Sequence, residues 1–187
     1  MRITRRGMMG ATVVAGPVIL FTARAPFAAS EAAEIDQNAN AALHQLYAED
    51  RRASELGKKA TGILVFPKIV KAGFIFGGQG GKGVLTVKGQ PQGYYTIAAA
   101  SFGLQAGVQW FSYALFFMNE QALKYLDKSD GWSVGAEPNV AIIDRGAGAQ
   151  IDSTTLSHDV IAMPFGQQGL MAGLSLQGSK ITTYRPG

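Results

Sequence analysis

Two short patterns in this chain have the spacing of reactive sites. Gly131-Trp-Ser133-Val-Gly135 spells G-x-S-x-G, the nucleophile elbow in which a tight strand-to-helix turn lifts a serine hydroxyl toward a histidine base. Here a helix is predicted before the motif and Ala136-Glu-Pro-Asn139 follows it, so neither flank fits. His158, with Asp144 or Asp159 to orient it, is the base such a serine would need, and two histidines in the whole chain leave little machinery for acyl transfer. The second pattern, Gly78-Gln-Gly80-Gly-Lys-Gly83, spells G-x-G-x-x-G. A dinucleotide site requires that loop to open a helix, yet Val84-Leu-Thr-Val87 reads as a strand. Gly83 after Lys82, in place of Ser or Thr, removes a P-loop as well. Asp144, Asp152 and Asp159 lack the alternating spacing of a calcium loop, and His44 falls alone on a predicted helix. No catalytic residue, metal or cofactor is therefore expected, and the predicted function is binding.

The chemistry that remains is charge. Between Glu55 and Glu120 there is no acid, while Lys58, Lys59, Lys68, Lys71, Lys82 and Lys88 all fall in that span. These six are the candidate ligand-binding residues, expected to share one outer patch that attracts an anionic surface. The formal charge of +4 is not itself the signal, because Arg2, Arg5, Arg6 and Arg24 account for it. Without them the chain is neutral, which argues against a nucleic-acid partner. Cysteine is absent, so disulfides and thiolate ligands are excluded and the fold must hold by packing.

The elements that position these lysines are mostly strands. With 47% hydrophobic residues, 16% charged and 24 glycines, the chain suits a sheet with close backbone approaches better than a helical bundle. From Glu34, the recurrence of Ile35, Ala39, Leu43 and Leu46 predicts an amphipathic helix, continued by Ala53 and Leu56 and closed by Gly57. It carries more acid than base up to Glu55 and has neither Trp nor Phe, which favours a lid over the sheet above a membrane-lying helix. Gly62 to Gly83 reads as two strands turning at Pro67, followed by a glycine loop. Val84 to Val87 and Tyr94 to Ala100 follow as strands, joined by a turn at Lys88 to Gly93. Leu104, Ala106, Val108 and Trp110 then alternate as inward residues, and the parity flips to Phe111, Tyr113, Leu115 and Phe117, so a bulge or break is expected at Trp110 and Phe111. Phe116 and Phe117 cannot share a side, so one ring is either exposed or part of a second apolar layer. Asn119 caps a short helix over Glu120 to Lys128, and strands at Val140 to Ile143 and in the alternating stretch from Leu170 to Thr183 complete the chain. The expected fold is α+β: a curved antiparallel sheet or barrel of about eight strands, with an N-terminal amphipathic helix and one short internal helix.

Residues 1–29 read as an address. Arginines, an apolar run from Met8 to Phe21 and a small-residue exit describe a signal peptide, too short for a comfortable permanent span. Thr4-Arg5-Arg6-Gly7-Met8 resembles the twin-arginine export motif, with Met8 where Phe is usual. Cleavage is expected between Ala29 and Ala33, leaving residues 30–187 as one periplasmic or secreted domain.

Laid out in order, these stretches resemble the bacterial SYLF-domain family. The likeness rests on Gly62-Ile-Leu-Val-Phe-Pro67, Lys71-Ala-Gly-Phe74, Gly93-Tyr-Tyr95, Ala98-Ala-Ala-Ser-Phe-Gly-Leu-Gln-Ala-Gly107, Ser133-Val-Gly135 and Gly166-Gln-Gln-Gly-Leu-Met-Ala-Gly-Leu-Ser-Leu-Gln-Gly178, within a span from about Ile35 to Tyr184. The resemblance implies a lipid-binding domain related to an actin-binding group of eukaryotes. It implies contacts to anionic headgroups through basic residues, with Lys58, Lys59, Lys68 and Lys71 the nearest candidates. For an exported bacterial chain the partner so implied is a phospholipid surface, such as phosphatidylglycerol or cardiolipin, and not actin.

Overall fold

The computed structural model describes residues 26–73, 76–102, 107–127, 131–135, 139–143, 157–168, 176 and 178–187. Of the predicted signal peptide, residues 1–29, those up to 25 lie outside these and 26–29 fall at the start of the first helix; the alternation at 170–175 also lies outside. Helix α1 (Pro26–Glu49) and helix α2 (Arg51–Lys59) precede strands β1 (Gly62–Gly73), β2 (Phe76–Val87), β3 (Gln90–Phe102) and β4 (Gly107–Phe117). A short α3 (Glu120–Leu123) runs into a 3₁₀ turn (Lys124–Asp127), and β5 (Trp132–Ser133), β6 (Val140–Ile142), β7 (Val160–Gln168) and β8 (Lys180–Tyr184) follow. The strands form one curled, half-barrel sheet in the order β5-β8-β3-β2-β1-β4-β7-β6. The α+β expectation holds, with one difference: β6 runs parallel to β7, and the other pairings are antiparallel.

Asp50 divides what sequence periodicity joined into one helix. Its backbone is extended, at φ −136° and ψ 107°, and its carboxylate accepts from the Arg52 amide at 2.9 Å, so it caps α2 while its own amide closes α1 on Leu46. The Arg52 guanidinium grips the same carboxylate at 3.0 and 2.7 Å. Gly57 does not end the helix as expected; it sits inside α2 because the Tyr47 hydroxyl occupies the place of its missing Cβ.

Pro67 does not turn the chain. β1 passes straight through it, carrying one extra residue at Pro67 and Lys68 against both neighbours: Val65 pairs Val84 and Lys68 pairs Lys82 on one side, Phe66 pairs Tyr113 and Ile69 pairs Phe111 on the other. A proline without an amide hydrogen suits a bulge, where one ladder bond is already missing. Its carbonyl accepts from the Ser112 hydroxyl at 2.7 Å. The predicted glycine loop is likewise strand. Gly77 to Gly83 lie in β2, where the absence of side chains lets β1 approach. The β2–β3 connection is tighter than expected, a two-residue turn at Lys88 and Gly89 with positive φ at both.

β4 explains the parity flip in its sequence. It runs without an extra residue, and the irregularities lie across from it, at Pro67–Lys68 of β1 and Gly166–Gln167 of β7. Phe111, Tyr113, Leu115 and Phe117 face one apolar layer, with Leu64, Phe66, Ile69, Leu126 and Trp132. Ala114 and Phe116 face the opposite layer under Leu46 and Leu56 of the helices. The second apolar layer is therefore real, and Phe116 belongs to it. Gln109 shares the parity of Phe111 and is buried, whereas Val108 and Trp110 point the other way and stay 46% and 41% exposed. The expectation that Val108 and Trp110 face inward is thus corrected. Asn119 caps α3 through the Ala122 amide at 2.8 Å, as its position predicts.

Candidate functional site

α1 is laid across the sheet by three kinds of contact. Ile35 and Ala39 pack on Val65 and Val84, and Leu46 packs farther along with Phe116 and Met163. The Tyr94 hydroxyl donates to Asp36 at 3.1 Å. At the helix's outer end, Glu31 accepts from Lys82 of β2, from the Tyr184 hydroxyl of β8 at 2.7 Å and from the Gly187 amide at 3.0 Å. Lys82 also lies over the Tyr184 ring, 4.5 Å from its centroid. The apolar stripe of the helix is spent on the sheet, which is the lid role its composition suggested.

The Glu31 cluster carries the largest electrostatic perturbation described for the chain. The Lys82 hydrogen bond first, then those from Tyr184 and Gly187, hold the Glu31 carboxyl down to about 2 from an ordinary 4.5, and the same contact holds the Lys82 ammonium above its usual range. A carboxyl lowered by folding stabilises fully above its unfolded value and loses that stabilisation as pH falls through the folded one. The clasp is therefore intact above about pH 4.5 and released toward pH 2. The protection of the amides from Ser30 to Ile35, taken relative to the intrinsic exchange rate at each pH, is expected to fall as pH drops through that interval, and Glu31→Gln to show low protection throughout. A pH step that persists in Glu31→Gln would assign the loosening elsewhere.

The six candidate lysines do not form one patch. Lys58 and Lys59 close α2, where cations meet the helix carboxyl end, and Lys58 pairs with Glu55 at 3.0 Å on the surface. Lys88 sits at the β2–β3 turn, toward the same end of the sheet. Lys68 and Lys82 are register partners on the face that α1 crosses, Lys82 already engaged by Glu31. Lys71 has the parity of Ile69 and opposes Gln79 and Gln109, so it belongs to the reverse face. What the span does provide is exposure: Lys59, Lys68 and Lys88 are exposed, and Lys68 and Lys88 have no carboxylate partner among the described residues, while the Lys59 charge reaches Glu55. Lys68 borders two open depressions flanking α1, of about 440 and 390 Å³; the first is lined also by Gln45, Trp110 and Ser112, the second by Glu34, Val70 and Lys82.

Sequence reasoning missed Glu31 and Trp110. Glu31 lies 51 residues from Lys82, with no periodic signal to join them. Trp110 had one signal, since a strand whose apolar residues alternate with Gln105 and Gln109 can also present the apolar side to the outside.

The motif residues are dispersed. Ser133 is exposed within the edge strand β5 and is followed by a turn at Val134 and Gly135, so no elbow forms. His158 precedes β7, whose first residue Val160 shares a core layer with Trp132, while Ser133 points out of that layer to solvent. Asp159 is occupied in accepting from Asn119 at 2.7 Å, while Asp144 and Asp152 lie outside the described residues.

Comparison with known proteins agrees with the resemblance read from the sequence. The chain is similar to the SH3 domain-containing YSC84-like protein 1 of Xenopus laevis, with 27% identity over 127 residues, which cover 65% of this chain and 37% of that protein. It is similar to Protein YSC84 of Saccharomyces cerevisiae at 25% identity over 135 residues, covering 68% of this chain and 29% of the yeast protein. The chain thus spans about a third of the length of these curated relatives. From within β3 to beyond β8, residues 98–186 match the Ysc84 family model, described as Las17-binding protein actin regulator.

Proposed function

We propose that this chain is a non-catalytic, peripheral binding domain for anionic phospholipid surfaces, exported by its N-terminal leader to the periplasm or beyond. One observation carries the reading: in a span free of acids, Lys68 and Lys88 stand exposed without carboxylate partners among the described residues. Their charge is available to a partner and is not consumed by the fold. Each cation that reaches an anionic leaflet contributes about 1 kcal/mol, so one or two that meet it on the same side give a measurable, salt-sensitive preference. The SYLF resemblance supports the same class of partner, and the Lys71 and Lys82 positions contribute less, the first turned to the reverse face and the second engaged by Glu31.

Flotation of the mature protein with vesicles tests this. Recovery with phosphatidylglycerol-containing vesicles is expected to exceed recovery with phosphatidylcholine alone, and to fall severalfold as salt rises from about 0.05 to 0.5 M, where screening shortens to a few ångströms. Equal recovery on both, or indifference to salt, overturns the reading. The second reading, a protein-docking module of the cell envelope, takes its support from the family description of a Las17-binding actin regulator. Capture of a defined protein partner by a chain that floats with neither vesicle would favour it.

A further inference from the structure

β4 turns its apolar side outward just where α1 stops covering the sheet, and that exposed side forms a continuous surface. Beyond the bulge, Val70 and Ala72 of β1 pair with Trp110 and Val108 of β4 on one flank and with Gly80 and Gly78 of β2 on the other. Those glycines pair in turn with Ala98 and Ala100 of β3, and Ala98 pairs with Lys180 of β8. All share one face across five strands, the face opposite Ile69 and Phe111. Ala72, Gly78, Ala98, Ala100 and Lys180 are exposed, and Val108 and Trp110 are two of the three large hydrophobic residues described as exposed.

Burying such a face is favourable, and its charges say against what. Lys68 and Lys180 lie on it or at its border, exposed and without carboxylate partners among the described residues. At the α1 margin stand Glu31, neutralised by Lys82, and Glu34. A second copy of the chain is disfavoured, because a two-fold pairing of this face would bring each Lys68 and Lys180 against the same set of cations. A bilayer is favoured. Small Gly and Ala side chains leave the face open to close approach, one Trp suits the depth of the headgroups, and flanking lysines meet phosphate. Lys68 and Trp110 border the same 440 Å³ depression, so one headgroup can meet the ammonium while its chains meet the ring.

We infer that the Trp110–Val108 sheet face, with Lys68 and Lys180, is the surface that enters the interface of an anionic membrane. This rests on the lipid reading above and assigns it a location. Lys58, Lys59 and Lys88, toward the other end of the sheet, then act only at long range.

Tryptophan emission tests the assignment, because the chain has two tryptophans and Trp132 is buried. With vesicles of equal parts phosphatidylglycerol and phosphatidylcholine carrying brominated acyl chains, emission is expected to shift blue and be quenched, and Trp110→Phe to abolish both changes. Val108→Ser with Trp110→Ser is expected to weaken partitioning about tenfold or more while leaving the melting curve in place. Lys68→Gln should weaken it about fivefold and Lys88→Gln much less. If the protein floats on anionic vesicles but Trp110 is not quenched and the double variant partitions normally, this face is overturned and lipid binding stands. If the protein floats on no anionic vesicle, both fall. A wild-type dimer that the double variant dissolves would identify the face as a contact between copies and end the proposal.

Discussion

Gly83→Ala is expected to cost about 2–4 kcal/mol, while Gly78→Ala, five residues earlier in the same strand, costs nothing. A Cβ on Gly83 would run into the carbonyl oxygen of Val65 and come within 2.6 Å of the Phe66 ring. Neither can retreat: Val65 is backbone in a central strand, and Phe66 is fully buried in the larger apolar layer. Gly81 has the same difficulty, 2.6 Å from the Lys68 carbonyl and 2.9 Å from Ile69. At Gly78 and Gly80 the nearest atoms to an added methyl are 3.6 and 3.7 Å away, ordinary contact. There alanine removes unfolded-state freedom and is expected to stabilise by about 0.5 kcal/mol. Urea unfolding of the four single variants reads this directly. Equal losses at all four sites would mean that the glycines supply backbone freedom and not the space into which the β1 bulge fits.

That contrast also marks the limit of what the sequence disclosed. Element type was legible wherever a residue's own period or cap decided it: the stripe from Ile35 to Leu46, the Asn119 cap, the strand character of Val84 to Val87. What escaped was decided by a neighbouring strand. Whether Gly83 is loop or strand depends on a bulge 15 residues away at Lys68, and Pro67 reads as a turn unless the missing ladder bond is known to fall at that bulge. The same displacement settled the lysines. Charge composition identified six cations without acids, and a spacing of three in one strand already sets Lys68 and Lys71 on opposite faces, but which of them shares the α1 face follows from the register beyond Pro67. Val108 and Trp110 read as inward because apolar residues ordinarily are. They face out, and buried Gln109 takes the inward place. A local reversal of binary patterning of this kind is expected where a surface is kept for a partner.

Phe116→Ala and Phe117→Ala are each expected to cost about 3–5 kcal/mol, yet to loosen different parts of the molecule. Both rings are fully buried, adjacent in β4 and on opposite faces. Phe117 packs against Trp132, with ring centroids 5.9 Å apart and planes 60° apart, in the layer that also holds Ala122 and Leu126. Phe116 shares its layer with Leu46 of α1 and Leu56 of α2. Truncating Phe117 should therefore diminish the near-ultraviolet signal of Trp132 and speed amide exchange in α3. Truncating Phe116 should leave that signal and release α1 and α2, because the helices meet the sheet through this layer and through the polar ties of Glu31 and Asp36. The helix variant should also be the more sensitive to acid, since the Glu31 clasp then holds a larger share of the α1 attachment and its carboxyl protonates toward pH 2. If the two variants change the same amides and the same tryptophan signal, the sheet is one cooperative slab and not a partition between two cores. If Phe116→Ala costs less than about 1 kcal/mol, the helices are held by Glu31 and Asp36 and not by packing.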